Sequence, residues 1–177
     1  MQLDELAALV RTVPDFPIPG IQFRDLTTLI ADSRGLASAV AHLADLTPPD
    51  VAAVAGIEAR GFIFGAALAV QLGVGFVPVR KAGKLPVTTH GQDYALEYGT
   101  ARLEIDAALL PPDGRVVLVD DLIATGGTAL AAVSLLRRAG AVCDTALFVI
   151  DLPDLGGAAA LAGQCVLAHS LLAFPGH

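Results

Sequence analysis

Asp120 and Asp121 stand side by side at the end of an apolar run and are followed by Thr125, Gly126, Gly127 and Thr128, in the stretch VVLVDDLIATGGTA from residue 116 to 129. Paired carboxylates accept hydrogen bonds from hydroxyl groups and suit a hard cation. The turn that follows prefers the opposite charge. A strand that feeds a glycine-rich turn into a helix leaves backbone N–H groups unpaired at the positive end of the helix dipole, which makes a cradle for an anion. Within the turn from Ala124 to Thr128, Gly126 and Gly127 let the backbone approach a ligand, and Thr125 and Thr128 add hydroxyl donors. The run contains neither the G-x-x-x-x-G-K-[ST] loop of nucleoside triphosphatases nor the G-x-G-x-x-G dinucleotide fingerprint. A ribose 5-phosphate satisfies both halves at once, its phosphate on the turn and its 2- and 3-hydroxyls on the carboxylates.

Two further groups are candidate sites. Glu58, Ala59 and Arg60 follow a short apolar run in VAAVAGIEARG, and Arg80, Lys81 and Lys84 form a basic cluster after a second apolar run, in a chain whose net charge is −7. That balance opposes nucleic acid and anionic membrane as partners, so any phosphate must be held locally. Cys143 and Cys165 lack metal-ligand or redox spacing and read as reduced structural thiols, and His42, His90, His169 and His177 form no zinc pattern.

The elements that must position these groups alternate. A helical pattern from Ser33 to about Leu46 precedes an apolar strand at Val51; a helix from Gly61 precedes a strand from Val74; RVVLVDD precedes the helix TALAAVSLLRRAG; AVCDTALFVID precedes a short helix after Gly156 and Gly157 and a last strand near CVLAHSLL. Repeated β-α-β units predict an α/β domain with a mostly parallel central sheet and helices on both faces, ligand groups gathering at the carboxyl ends of the strands. All three candidate groups fall there. YALEYGTARLEI alternates on either side of Gly99 as a hairpin would. VPDFPIPGIQFRD, with three prolines after its first residue, reads as an irregular extended loop or hood. The apolar stretch 61–79 approaches membrane-spanning length but is broken by Gly73 and Gly75, and is read as a buried helix followed by a buried strand. MQLDELAALVR lacks the basic start of a signal peptide, so a cytoplasmic location is expected.

VVLVDDLIATGGT closely resembles the motif of the type I phosphoribosyltransferases, which bind 5-phosphoribosyl 1-diphosphate with Mg²⁺. FPIPGIQFRDLTTLI, GIEARGFIFG, VPVRKAGKLP, YALEYGTARLEI and the terminal FPGH resemble, in order and over nearly the whole chain, segments of the members that act on adenine. The resemblance implies the type I phosphoribosyltransferase fold in one domain over residues 1–177, with a base-binding hood at residues 1–30 and a flexible catalytic loop from about Leu85 to Asp93. It implies transfer of the phosphoribosyl group to adenine, giving AMP and pyrophosphate, in a homodimer.

By the same resemblance Glu97 is the catalytic carboxylate, with Tyr98 packing over the closed site. Asp120, Asp121, Ala124, Thr125, Gly126, Gly127 and Thr128 bind the phosphoribosyl group. Glu58, Ala59, Arg60, Arg80, Lys81 and Lys84 bind the diphosphate, and Gln22, Phe23 and Arg24 bind adenine. Mg²⁺ is carried chiefly by substrate, near Asp120 and Asp121 rather than in a protein cage. A cis peptide between Glu58 and Ala59 is also implied. Gln22 departs from the aliphatic residue usual in that position: a main-chain contact tolerates the change, whereas an inward side-chain amide alters base preference. Two other readings remain open at this point, a type I enzyme for another base and a phosphoribosyl-diphosphate-sensing regulator. The FRD and LEYG segments oppose the first; the net charge and Glu97 oppose the second.

Overall fold

The computed structural model of the chain describes residues 1–87, 89–95 and 100–176. Its centre is a seven-stranded sheet in the order β5-β6-β4-β3-β7-β8-β9, built from β3 (Val51–Ile57), β4 (Gly75–Lys81), β5 (His90–Ala95), β6 (Thr100–Ile105), β7 (Arg115–Ile123), β8 (Thr145–Asp151) and β9 (Leu167–Ala173). Strands β3, β4, β7, β8 and β9 pair in parallel, while β6 is antiparallel to both β4 and β5. Parallel strands need crossovers, and the sequence supplies them as helices.

Alternation along the strands assigns two cores. Val116 and Leu118 of β7 join Ala53 and Ala55 of β3 beneath α5 (Gly127–Arg138) and α6 (Gly157–Ala162), with Ala132, Leu135, Leu136 and Leu161. Val117 and Val119 face the other way with Val54, against α3 (Ser33–Asp45) and α4 (Gly61–Leu72), where Leu43, Phe64 and Leu68 are buried. A central strand buried on both faces has no polar side, hence the unbroken apolar run of β7 up to Asp120. The stretch 61–79 is accordingly the buried helix α4, closed by Gly73 at φ +70°, and the strand β4. Among the described residues no helix is long and apolar enough to cross a membrane.

The first thirty residues carry more regular structure than their prolines suggest. After α1 (Leu3–Ala8), β1 (Arg11–Pro14) pairs antiparallel with β2 (Gln22–Asp25), and α2 (Thr27–Ala31) follows. The expected irregular loop is confined to its middle, where Pro17 is preceded by a cis bond and the Asp15 carboxylate accepts the Gly20 N–H at 2.8 Å. Pro14 is accommodated because it ends its strand. The expected catalytic loop is likewise shorter, since β5 takes His90 to Asp93 from it, and the strand expected from Ala141 begins at Thr145. The Glu58–Ala59 bond is cis, as the resemblance implied. Cys143 is buried, whereas Cys165 is exposed.

Asp25 ties the two strands of this ribbon to the start of α2. Its carboxylate accepts from Thr27 Oγ1 at 2.6 Å and the Thr27 N–H at 2.9 Å, and it pairs with the Arg11 guanidinium. The Thr27 hydroxyl and N–H, aided by Arg11, lower its pKa to about 2. A depressed carboxylate pKa contributes stability that is present above the ordinary value near 4 and lost as pH falls toward about 2. Asp25→Asn is therefore expected to lose about 1–2 kcal/mol at neutral pH and to show a flatter fall in stability over that acid window, measured by denaturant unfolding at each pH.

Candidate active site

Three strand ends converge at one edge of the sheet. Strand β3 delivers Ile57 to Arg60, β4 delivers Lys81, and β7 delivers Asp120 and Asp121; with Thr128 of α5 and Tyr94, Ala101 and Leu103 of the β5–β6 hairpin they line a cleft of about 550 Å³. A second hollow of about 250 Å³ is lined by the run from Leu122 to Ala129 and shares Arg60, Asp120, Asp121 and Thr128 with the first. The two share a wall of two acids flanked by one arginine.

The shared wall is tightly built. The Arg60 Nε–H donates to Asp121, whose side chain is 9% exposed, and Asp120 Oδ1 accepts the Asp121 N–H at 2.9 Å. Burial, reinforced by the Asp121 charge, pushes the pKa of Asp120 well above the ordinary carboxylate value. A hydroxyl donor or a cation set beside it would restore the ionised form. Gly61, which opens α4, makes this packing possible: a Cβ there would meet Asp120 Oδ1 at 2.7 Å and the Val119 carbonyl at 2.9 Å.

Glu58 faces the basic cluster. Its carboxylate accepts the Lys81 N–H at 2.9 Å and a weaker 3.4 Å contact from Arg80, and these lower its pKa, the Lys81 N–H most. Arg80 also donates to the Lys84 carbonyl at 3.0 Å, so it braces the turn and does not line the cleft. Lys81 does line it, and Lys84 lies on the same turn, outside the lining. Glu97 and Tyr98 lie outside the described residues, between β5 and β6, whose registers pair Tyr94 with Ala101.

The glycine-rich turn behaves as its composition suggests. Gly126 caps α5 at φ +85°, a left-handed conformation that costs glycine nothing. Behind it stands a residue that sequence reasoning passed over. The Gly157 N–H donates to the Ala124 carbonyl at 2.9 Å, and a Cβ on Gly157 would sit 2.4 Å from that oxygen and 2.9 Å from the Gly126 nitrogen. The Gly156-Gly157 pair was visible as a helix start, but its contact with the turn depends on two distant strands.

The hood meets the cleft through Phe23. Its ring lies edge-on to Phe16, with centroids 5.2 Å apart, and the Arg60 guanidinium stands 5.7 Å above it, on the arginine's way to Asp121. Gln22 sits one residue earlier in β2, opposite Pro14. Arg24 turns elsewhere, to Thr12 Oγ1 at 2.6 Å and over the Phe174 ring. Chemically, the arrangement offers an anion cradle, two carboxylates for hydroxyls and the cations Arg60 and Lys81, with an aromatic ring beside Arg60.

Comparison with known proteins agrees with that geometry. Residues 22–152 match the model of the phosphoribosyl transferase domain family. The adenine phosphoribosyltransferase of Erythrobacter litoralis is 61% identical over an alignment of 178 positions that covers 100% of both chains. The crystal structure of adenine phosphoribosyltransferase from Thermoanaerobacter pseudethanolicus superposes with a TM-score of 0.92 at 44% identity, covering 98% of this chain and 100% of the other. The enzyme from Saccharomyces cerevisiae, complexed with an imino-altritol bisphosphate and adenine, gives 0.89 at 37% identity over 96% and 98% of the two chains. With the sheet order, the paired hollows and these likenesses together, the chain belongs to the phosphoribosyltransferase family, among the adenine phosphoribosyltransferases.

Proposed function

We propose that the chain transfers the phosphoribosyl group of 5-phosphoribosyl 1-diphosphate to adenine, forming AMP and releasing pyrophosphate, as a purine-salvage enzyme. The observation that carries this is the pair of joined hollows that share Arg60, Asp120, Asp121 and Thr128. A sugar with a phosphate at one end and a diphosphate at the other spans such a pair. The 5-phosphate takes the turn of Ala124, Thr125, Gly126, Gly127 and Thr128, and the ribose hydroxyls take Asp120 and Asp121. The diphosphate takes Glu58, Ala59, Arg60 and the cations Arg80, Lys81 and Lys84. Gln22, Phe23 and Arg24 form the base-binding segment within a single domain whose first thirty residues are the hood.

The reacting bond lies between the hollows. As the C1–oxygen bond to pyrophosphate breaks, positive charge develops on the sugar ring and negative charge on the leaving group. Cations fixed in place before the reaction stabilise the second without reorganising. Adenine N9 forms the new bond to C1 and its proton passes to the Glu97 carboxylate. The β5–β6 pair supports this role, since its Tyr94, Ala101 and Leu103 wall the cleft and residue 97 falls between the two strands in sequence.

The donor set fits Mg²⁺ carried by substrate. Asp121 is engaged by Arg60 and one Asp120 oxygen by an N–H, so the acids offer few free oxygens; among the described residues no group of three or more His, Cys, Asp or Glu surrounds a point. A Mg²⁺ ion would take most of its ligands from diphosphate, ribose and water, with Asp120 and Asp121 nearby, and would supply positive charge to the leaving group. The protein's part is to orient the hydroxyls and exclude water. Cytoplasmic location and a homodimer complete the proposal, the latter supported by the apolar side chains α4 leaves outward, Val70 at 83% exposure and Ile63 at 39%.

Four outcomes are expected. Purified protein with phosphoribosyl diphosphate and Mg²⁺ forms nucleotide from adenine and far less from hypoxanthine or guanine; equal use of the three would contradict the assignment. Glu97→Gln lowers kcat by roughly 10²–10⁴ while leaving the KM for phosphoribosyl diphosphate nearly unchanged, because the carboxylate acts on the base. Gly157→Ala forces the turn away from its cradle geometry and raises that KM roughly tenfold or more, with the KM for adenine little affected. Sedimentation gives a dimer at micromolar concentration, and an active monomer would exclude it.

A further inference from the structure

Arg24 belongs to the base-binding segment, yet its side chain is committed to the carboxyl terminus. In β2 the residues alternate, so Phe23 and Asp25 share one face and Gln22 and Arg24 the other. Phe23 faces Arg60 and Asp25 is fastened to Arg11 and Thr27. On the opposite face the Arg24 guanidinium stands 4.9 Å above the Phe174 ring, donates to Thr12 Oγ1 at 2.6 Å and reaches the Pro175 carbonyl at 3.4 Å. Its buried Nε–H has no hydrogen-bond partner among the described residues. The Phe174 ring and the Thr12 hydroxyl are therefore its fixed neighbours on that side.

Phe174 is itself held. Its N–H donates to the Asp151 carbonyl at 3.0 Å, its ring packs against the core layer under α3 and α4, and the Gly176 N–H donates to Asp154 Oδ2 at 3.1 Å. A two-stranded ribbon of four residue pairs is marginal alone and takes its orientation from what it packs against. With Asp25 fixing one end, the grip on Arg24 fixes the roll of β2 about its own axis. That roll sets the angle at which Phe23 presents its ring to the cleft.

We propose that Phe174 is a positioning residue for the purine: by holding Arg24 it orients Phe23, and so sets affinity for adenine without touching the substrate. The inference rests on the reading of function above. A base stacked on Phe23 senses the roll, whereas the phosphate turn and the cationic rim, carried by β3, β4 and β7, do not.

The test is steady-state kinetics with both substrates on Phe174→Ala, Phe174→Leu, Phe174→Tyr, Arg24→Ala and the double variant Arg24→Ala/Phe174→Ala. Phe174→Ala is expected to raise the KM for adenine roughly three- to thirtyfold, the range of a partly desolvated cation-π contact, with the KM for phosphoribosyl diphosphate within about twofold. Phe174→Tyr keeps a π face and restores the wild-type value. Phe174→Leu fills much of the volume without a face and does not. The double variant is no worse than Arg24→Ala, because the two residues act in series. Full activity of Phe174→Leu, equal changes in both KM values, or additive losses in the double variant would overturn the inference. A wild-type chain that forms no AMP would overturn the reading of function instead.

Discussion

The site depends on one ion pair, Arg60 with Asp121, formed across the carboxyl ends of neighbouring parallel strands. Asp121 is nearly buried and stands beside a second acid, where a charge left without a partner is costly. Arg60 answers that charge, lines both hollows and stands above Phe23. The sheet supplies the spacing: β3 and β7 pair from Ala53 with Val116 to Gly56 with Val119, which brings the two strand exits alongside each other. Without a pair at that point the acids would face each other uncompensated, and the β1–β2 ribbon would lose the neighbour that Phe23 has in the body of the domain.

Steric absence matters as much as attraction. Gly61 leaves room for Asp120, and Gly157 leaves room for the turn that carries Gly126. In both places a methyl group would meet backbone or carboxylate oxygens closer than 3.0 Å, so the space is occupied by the binding machinery itself. Gly126 is held from two sides, by its own left-handed conformation and by the Gly157 backbone 3.0 Å from where its Cβ would lie. An anion cradle preorganised in this way spends little of its binding energy on ordering the loop.

Much of this was legible in the sequence because it is local. The apolar run of β7 ending in two acids, the glycines after it and the alternation around Gly99 each signal within a few residues, and the parallel sheet follows from their order. The position of Arg60 beside Asp121 was not legible, since it depends on β3 and β7 being neighbours with sixty residues between the partners in sequence. The same is true of Gly157 behind the turn and Phe174 beneath Arg24. The β1–β2 ribbon was hidden for a different reason: its prolines stand at a strand end and in the connecting loop, where they cost little, and composition alone does not reveal placement. Arg80, proposed above as a ligand for the diphosphate, also braces the Lys84 turn and Glu58, contacts that no local pattern signals.

In the proposed function the two hollows form one site, spanned by a single ligand through the shared Arg60, Asp120, Asp121 and Thr128. Calorimetric titration in Mg²⁺ with ribose 5-phosphate, with pyrophosphate and with phosphoribosyl diphosphate tests it directly. The first two are expected to bind together, each at one per chain, and phosphoribosyl diphosphate to displace both at one per chain. Displacement of only one of them, or binding of phosphoribosyl diphosphate alongside both, would contradict it.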